Sequence, residues 1–468
     1  MKPLQNASYL SIPRFRFGFV LRTSIFILVL VCAKRSGFAQ ATLATQASTA
    51  PLTITFQDAL QRARQNSPEY RSALTDLGLA REDRVQARAS LLPDVNYNTS
   101  YIYSQGTGPL TGNCQTTVVV GCPPFRFIAN NAVHEYASQA NVHEAVSLTN
   151  LADYRRSSAV LAQARARSEI AARGLVLTLT QAYYGLVVAQ RKYANEQRAA
   201  SEAARFLDIS QKLEKGGEVA HADVLKASIQ AQQQQRDLQE ALIAMERSRL
   251  DLAVILFPDF NQNFTVVDDL QNPEPLPSLT EVAAAGQKNN PDLRAALAAY
   301  EASRHEVTAA WGGLLPSLSL DYFYGIDATH FAISTDGIRN LGYSTVATLQ
   351  IPIFSWGADR SKLKQAELRR DQAHVELNFA QRQLLSHLRQ FYNEAEIARS
   401  AMESLASTTD MAAESLRLTT LRYQAGESTV LEVVDAQNTL TQARNAYDDG
   451  QSRYRMALAN VQTLTGNF

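Results

Sequence analysis

Two histidine-acid pairs, His134-Glu135 and His143-Glu144, are the first candidates for chemistry, because an imidazole beside a carboxylate is what a metal site collects. Their histidines are nine residues apart, and in an extended segment an odd spacing sends them to opposite faces, so they share no ion there. His221 stands near Asp223 as an acid-base pair would, but nothing nearby supplies a nucleophile, and a solvated turn accounts for both. Gly106-Thr-Gly108-Pro-Leu-Thr-Gly112 has a phosphate loop's glycines without the strand-to-helix setting that would aim backbone amides at an anion. Cys114 and Cys122 lie within a Gly/Pro-rich stretch between two predicted strands. They predict a disulfide closing a small surface loop if the chain is exported. Zinc is the alternative, although no histidine lies close enough in sequence to complete a site. The residues therefore predict no enzyme, no metal and no cofactor.

The elements that position these residues are unusual. The chain has 468 residues and 15 prolines, and residues 125–257 and 353–468 contain none of them. Both tracts are rich in Ala, Leu, Gln, Glu and Arg, the composition of long helices and coiled coils. Basic and acidic residues cancel at 45 each, which removes the positive field that nucleic-acid binding requires. A hydrophobic content of 46% excludes general disorder.

Lys2, Arg14, Arg16, Arg22, Lys34 and Arg35 all precede the first acidic residue, Asp58. They flank the apolar stretch Ser24-Ile-Phe-Ile-Leu-Val-Leu-Val-Cys-Ala33, and small residues follow at Gly37 and Ala39. This predicts an export signal over residues 1–39, followed by an extension over 40–54. The apolar run is too short for a spanning anchor. Val31 before Cys32 argues against lipidation at that cysteine.

No other run reaches membrane-helix length, so entry into a membrane would have to use strands. In Pro93–Ser104, Val95, Tyr97, Thr99, Tyr101 and Tyr103 alternate with polar residues, and Tyr343, Thr345, Ala347, Leu349 and Ile351 do so later. These runs have the length and tyrosine content of tilted strands crossing a bilayer. A water-soluble sheet with one wet face fits any single one equally well.

Internal repeats decide more. Asn66-Ser-Pro-Glu-Tyr-Arg-Ser-Ala-Leu74 returns as Asn289-Asn-Pro-Asp-Leu-Arg-Ala-Ala-Leu297, and Leu91-Leu-Pro93 returns at the same offset as Leu314-Leu-Pro316. Gln181-Ala-Tyr-Tyr184 matches Arg389-Gln-Phe-Tyr392, and Gly217-Glu218 matches Gly426-Glu427. The chain reads as a tandem duplication, residues 55–278 and 279–468. Each half runs through helices, a strand, a loop, a strand, a very long helix, a glycine turn near 216–221 or 425–429, and a last helix. Heptad spacing marks the long helices, through Leu384, Leu388, Phe391, Ala395, Ala398 and onward to Tyr423, and again from Val433 to Leu464.

A helix over 155–214 would span roughly 90 Å and one over 358–424 roughly 100 Å, too long for a globular domain. Four strands per chain cannot close a barrel, and open edges are not tolerated in lipid. The predicted fold class is therefore mainly α with a small β part, a coiled-coil α-barrel continued by a membrane β-barrel of four strands per chain, twelve in a trimer.

With these residues in place the chain resembles the TolC-like outer-membrane efflux protein family. The resemblance runs from about Phe56 to Gly466. It is most specific in the Asn-x-Pro and Leu-Leu-Pro duplication, in Ile351-Pro-Ile-Phe-Ser-Trp-Gly357, and in Arg422-Tyr-Gln-Ala-Gly426 ahead of Val433-Val-Asp-Ala-Gln437. It implies a homotrimeric channel in outer-membrane lipid with a periplasmic tube, the exit duct of a tripartite efflux pump or type I secretion system. An inner-membrane transporter and its periplasmic adaptor are the implied partners. It places the periplasmic tip at the turns of Gly216, Gly217 and Gly426. Asp223, Tyr423, Glu432 and Asp435 then fall where gating links and lumenal acidic rings are used. Ser428 stands where better-known members carry an arginine, which puts an arginine lock in doubt. Thr429-Val-Leu-Glu432 is also a helix-capping box, and Tyr423 is also a seam position. The competing class is a structural periplasmic coiled-coil protein without transport activity. The sequence names neither the exported substrate nor the pump.

Overall fold

The computed structural model describes residues 52–103, 134–272, 274–335 and 337–466. The expected export signal, most of the extension, Gly106–Gly112 and the Cys114/Cys122 pair lie outside these residues. The described chain opens with β1 (Leu52–Ile54), α1 (Phe56–Asn66), α2 (Pro68–Ala89), β2 (Asp94–Tyr103), β3 (His134–Val146), α3 (Leu148–Lys215) and α4 (His221–Leu256). It continues through β4 (Phe264–Val266), α5 (Leu279–Asn289), α6 (Pro291–Gly312), β5 (Ser317–Ala328), β6 (Ser334–Thr335), β7 (Ile338–Arg339), β8 (Leu341–Gln350), α7 (Ala358–Gln424) and α8 (Val430–Thr465).

The repeated Asn-x-Pro motif is a helix junction. Ser67 and Asn290 each cap a helix, their side chains accepting from the amides of Tyr70 and Leu293, while Pro68 and Pro291 occupy the first helical turn, where no donor is needed. The repeated Leu-Leu-Pro ends that helix, because proline forbids its continuation and favours extended backbone before it. The strands β2 and β5 then begin at Asp94 and Ser317.

The two long helices contain 68 and 67 residues, each about 100 Å at 1.5 Å per residue. The first starts at Leu148, earlier than the expected 155, because Ser147 accepts from the Asn150 amide and starts the helix directly after β3. Its partner begins at Ala358, after left-handed backbone at Trp356 and Gly357. The heptad seam is buried where the long helix meets its successor: Leu384, Leu388, Ala395, Ala398, Ala412 and Tyr423 on α7, and Val433, Leu440, Ala443, Tyr454, Ala457 and Val461 on α8.

Strands β2, β3, β5 and β8 form one antiparallel sheet in that spatial order. Its register puts Val95, Val142, Tyr322 and Thr345 side by side on one face, with Tyr97, Ala140, Tyr324 and Tyr343 in the next row of that face. The opposite face carries Asn96, Asn141, Phe323 and Ser344, then Asn98 and Gln139. One face is thus apolar and tyrosine-rich and the other polar, the alternation of a lipid-facing barrel wall. Among the described residues the outer edges of β2 and β8 have no neighbour, so the four strands form an open sheet. Among the described residues no helix is long and apolar enough to cross a membrane.

One pairing was not anticipated. The parallel ribbon of β1 and β4 ties the start of the described chain to the connection between α4 and α5. Tyr183, fully buried, seals it: the hydroxyl donates to the Val267 carbonyl at 2.8 Å and accepts from the Val267 amide at 3.1 Å. Burial away from water, which penalises the phenolate, pushes its pKa up to about 12. The same connection is clamped by Arg191. Its guanidinium makes a two-pronged contact with Asp268, at 2.5 and 2.7 Å, and reaches Asp448 of α8 at 3.1 Å.

Candidate gate at the helical tip

Both long helices end on the same local device. The amide of Gly217 bonds to the Glu214 carbonyl at 2.8 Å and that of Glu218 to the Leu213 carbonyl at 2.9 Å. At the second turn Gly426 bonds to Tyr423 at 3.0 Å and Glu427 to Arg422 at 2.8 Å. Glycines 217 and 426 have φ of +76° and +74°, backbone that a side chain would strain, and this closes the last carbonyls of each helix. Gly216, named with them from the sequence, is helical at φ −78° and has no such requirement.

The two turns come together over one apolar cluster. Phe206 of α3, Ala227 of α4, Tyr423 of α7 and Val430 and Val433 of α8 are buried in it, with Leu213 and Val219 packed alongside. Tyr423 is 3% exposed, with its ring 5.0 Å from that of Phe206 and its hydroxyl donating to Ser210 Oγ at 3.2 Å. Ser210 in turn donates to the Phe206 carbonyl at 3.0 Å, one turn back. Seam packing and a polar link are therefore the same feature: Tyr423 holds α7 against α3.

The starts of the two following helices differ. Thr429 caps α8, and Glu432 reaches back to the Thr429 amide at 3.3 Å while Ser428 Oγ donates to its carboxylate at 2.8 Å. The hydrogen bond from Ser428, then those from Thr429, hold the Glu432 carboxyl below the usual glutamate value. Ser428 thus serves the cap. At the equivalent place in the first half the capping position is Ala220, which has no hydroxyl, so Asp223 has no reciprocal partner there. Asp223 lies instead 3.6 Å from Lys226, one turn along α4. His221 bonds Glu214 across the turn at 2.6 Å, so the pairing of His221 with Asp223 does not form. Asp435 is exposed on α8, one turn beyond Glu432.

The histidine-acid pairs also separate as their spacing requires. His134 contacts the Tyr101 hydroxyl at 2.7 Å on one face of the sheet, and His143 contacts Asp321 at 2.8 Å on the other. Among the described residues no group of three or more His, Cys, Asp or Glu side chains is arranged to hold a metal ion.

Two clamps escaped the sequence reading. Arg191 is described above. Arg173, buried in α3, donates to the Thr463 carbonyl in the last turn of α8 at 2.5 Å and to the Asn289 carbonyl at the end of α5 at 3.0 Å. A cation at two helix C-termini is favoured by both helix dipoles. The signal for either residue is faint, a lone arginine in a helix full of arginines.

Comparison with known proteins agrees with this geometry. Residues 285–467 match the Outer membrane efflux protein family. The chain is 24% identical to Outer membrane protein TolC of Escherichia coli, over 87% of this chain and 81% of that protein. It is 23% identical to Alkaline protease secretion protein AprF of Pseudomonas aeruginosa, over 87% and 84%. The solved Campylobacter jejuni CmeC outer membrane channel superposes with a TM-score of 0.73 at 18% identity, covering 88% of this chain and 85% of that one, which shows the fold. The solved neighbour is an outer membrane channel, and the matched family is one of efflux proteins rather than enzymes. The partial family match, the relatives and the shared fold together support reading the chain as a TolC-like outer-membrane efflux protein, with an outer-membrane location and a helical tube in the periplasm.

Proposed function

We propose that three copies of this chain form the exit duct of a tripartite efflux pump or a type I secretion system, with an inner-membrane transporter and its periplasmic adaptor engaging the tip. The open sheet carries the reading. In lipid, unpaired backbone groups on the outer edges of β2 and β8 each cost several kcal/mol, so the edges must find partners. The two edge strands are ten residues each, and a second copy's β8 can pair with β2 along its whole length. Along the tube, Leu368 and Val375, and again Met411 and Leu418, recur at heptad spacing and are exposed in one chain, as a seam awaiting a neighbouring helix would be. Relatives named for protease secretion and for the outer membrane support an exit duct.

At the tip, threefold symmetry would bring three copies of Asp435 around one axis. Asp223, Tyr423 and Glu432 are the companion gate residues, Tyr423 through its hold on α3 and Glu432 through the start of α8. Chemical cross-linking of the detergent-extracted protein tests the assembly. Trimers are the expected product, and monomers or dimers alone would refute it. A structural coiled-coil protein would leave the membrane without detergent.

A further inference from the structure

The polar face of the sheet has a one-sided charge pattern. The four strands contain neither lysine nor arginine, while Asp94, Glu135, Asp321 and Asp327 share this face. Its one basic group is His143, which the register places directly between Asp94 of β2 and Asp321 of β5. The His143 ring nitrogen Nδ1 lies 2.8 Å from Asp321 Oδ1, and Asn96 holds the Asp94 carboxylate at 2.5 Å. Beyond Asp321 the row ends at Val346 of β8; the neighbouring Glu144 belongs to the opposite face.

We propose that His143, set between Asp94 and Asp321 on the wall of the barrel lumen, makes the cation preference of the barrel depend on pH. This rests on the duct reading, which makes the polar face a pore lining repeated three times. A ring of carboxylates in a pore favours cations. When protonated, His143 offsets one of its two flanking carboxylates, and the row carries −1. When neutral, it leaves −2. Histidine is the side chain whose ordinary titration falls between about pH 5 and pH 8, so the switch operates under ordinary conditions. Exposed charges are screened within about 10 Å at 0.1 M salt, so the effect is a low-salt one. The class of solute affected is small cations and cationic cargo.

The test is reversal potential in planar bilayers across a KCl gradient, with the tip-side chamber at neutral pH so that the tip carboxylates keep their charge. The barrel-side chamber is moved from pH 5 to pH 8. In the wild type the cation-over-anion permeability ratio should rise roughly twofold as the row's net charge doubles. His143→Gln should show the higher ratio throughout, with no step. His143→Arg, which keeps a positive partner for Asp321, should show the lower ratio throughout. A His143→Gln channel that keeps the wild-type step overturns the proposal, as does a conducting wild type with no step. A wild type that forms no channel at all overturns the duct reading as well.

Discussion

The Tyr423 hydroxyl donates to Ser210 Oγ at 3.2 Å inside the tip, joining the last turn of one long helix to the body of the other. Both partners are buried, so water does not compete for the bond while the cluster is packed. A link of this kind contributes about 1 kcal/mol, enough to bias a two-state tip without freezing it.

Removing the hydroxyl while keeping the ring isolates that link. Tyr423→Phe should raise the open fraction of the channel about fivefold, the equivalent of about 1 kcal/mol. The ring packing against Phe206 should remain. Single-channel recording in planar bilayers reads the change. Asp223→Ala is the companion variant, and if neither alters conductance the two residues do not gate.

Asp435 should matter for selectivity more than for closure, being exposed on α8 beyond the buried cluster. Three like charges near one axis attract cations. Asp435→Ala should lower the cation-over-anion permeability ratio, measured with tip-side and barrel-side pH both neutral. An unchanged ratio would remove it from the pore.

The cap on α8 should be acid-labile. Glu432 has its pKa lowered from the ordinary value of 4.5 by Ser428 and Thr429, so its contribution is fully present above that value and is lost as pH falls through the lower folded pKa. Hydrogen exchange at the first turn of α8, corrected for the intrinsic pH dependence, should show protection falling in that acid range. In Glu432→Gln protection should be lower at neutral pH and show no such step.

Arg173 joins α3 to the ends of α5 and α8, and its loss removes a donor from the buried Thr463 carbonyl and the part-buried Asn289 carbonyl. Arg173→Ala should destabilise the protein by about 2–4 kcal/mol. Thermal unfolding of the detergent-solubilised protein reads this, and a melting temperature equal to the wild type would show that the clamp contributes nothing.

Cys114 and Cys122 should be found joined in the purified mature protein, since exported chains meet an oxidising compartment. Mass spectrometry of the non-reduced peptide decides it. Two free thiols would refute the disulfide, and bound zinc would favour the alternative.

Much of this architecture is written in short-range chemistry, which is why it was legible. Ser67-Pro68 and Asn290-Pro291 start helices through contacts within one turn, Gly217 and Gly426 end them through backbone that only glycine adopts without strain, and alternation along Asp94–Tyr103 separates the faces of a strand. The absence of proline over the two long tracts left room for long helices, and the heptad of small and aliphatic residues told which stripe would be buried. Contacts between distant segments left no such trace. Three residues, Leu52–Ile54, are too few to show a period, so their pairing with Phe264–Val266 emerges only when Tyr183 brings both under one hydroxyl. Arg173 and Arg191 look like any solvated arginine until folding surrounds them with carbonyls and carboxylates from other helices. Tyr423 occupies a seam position by its spacing, but whether its hydroxyl would face water, a neighbour or Ser210 depended on the rotation of α7 against α3. Local sequence determines where each element begins, ends and turns its apolar side; only the packing of one element on another decides which polar atoms meet.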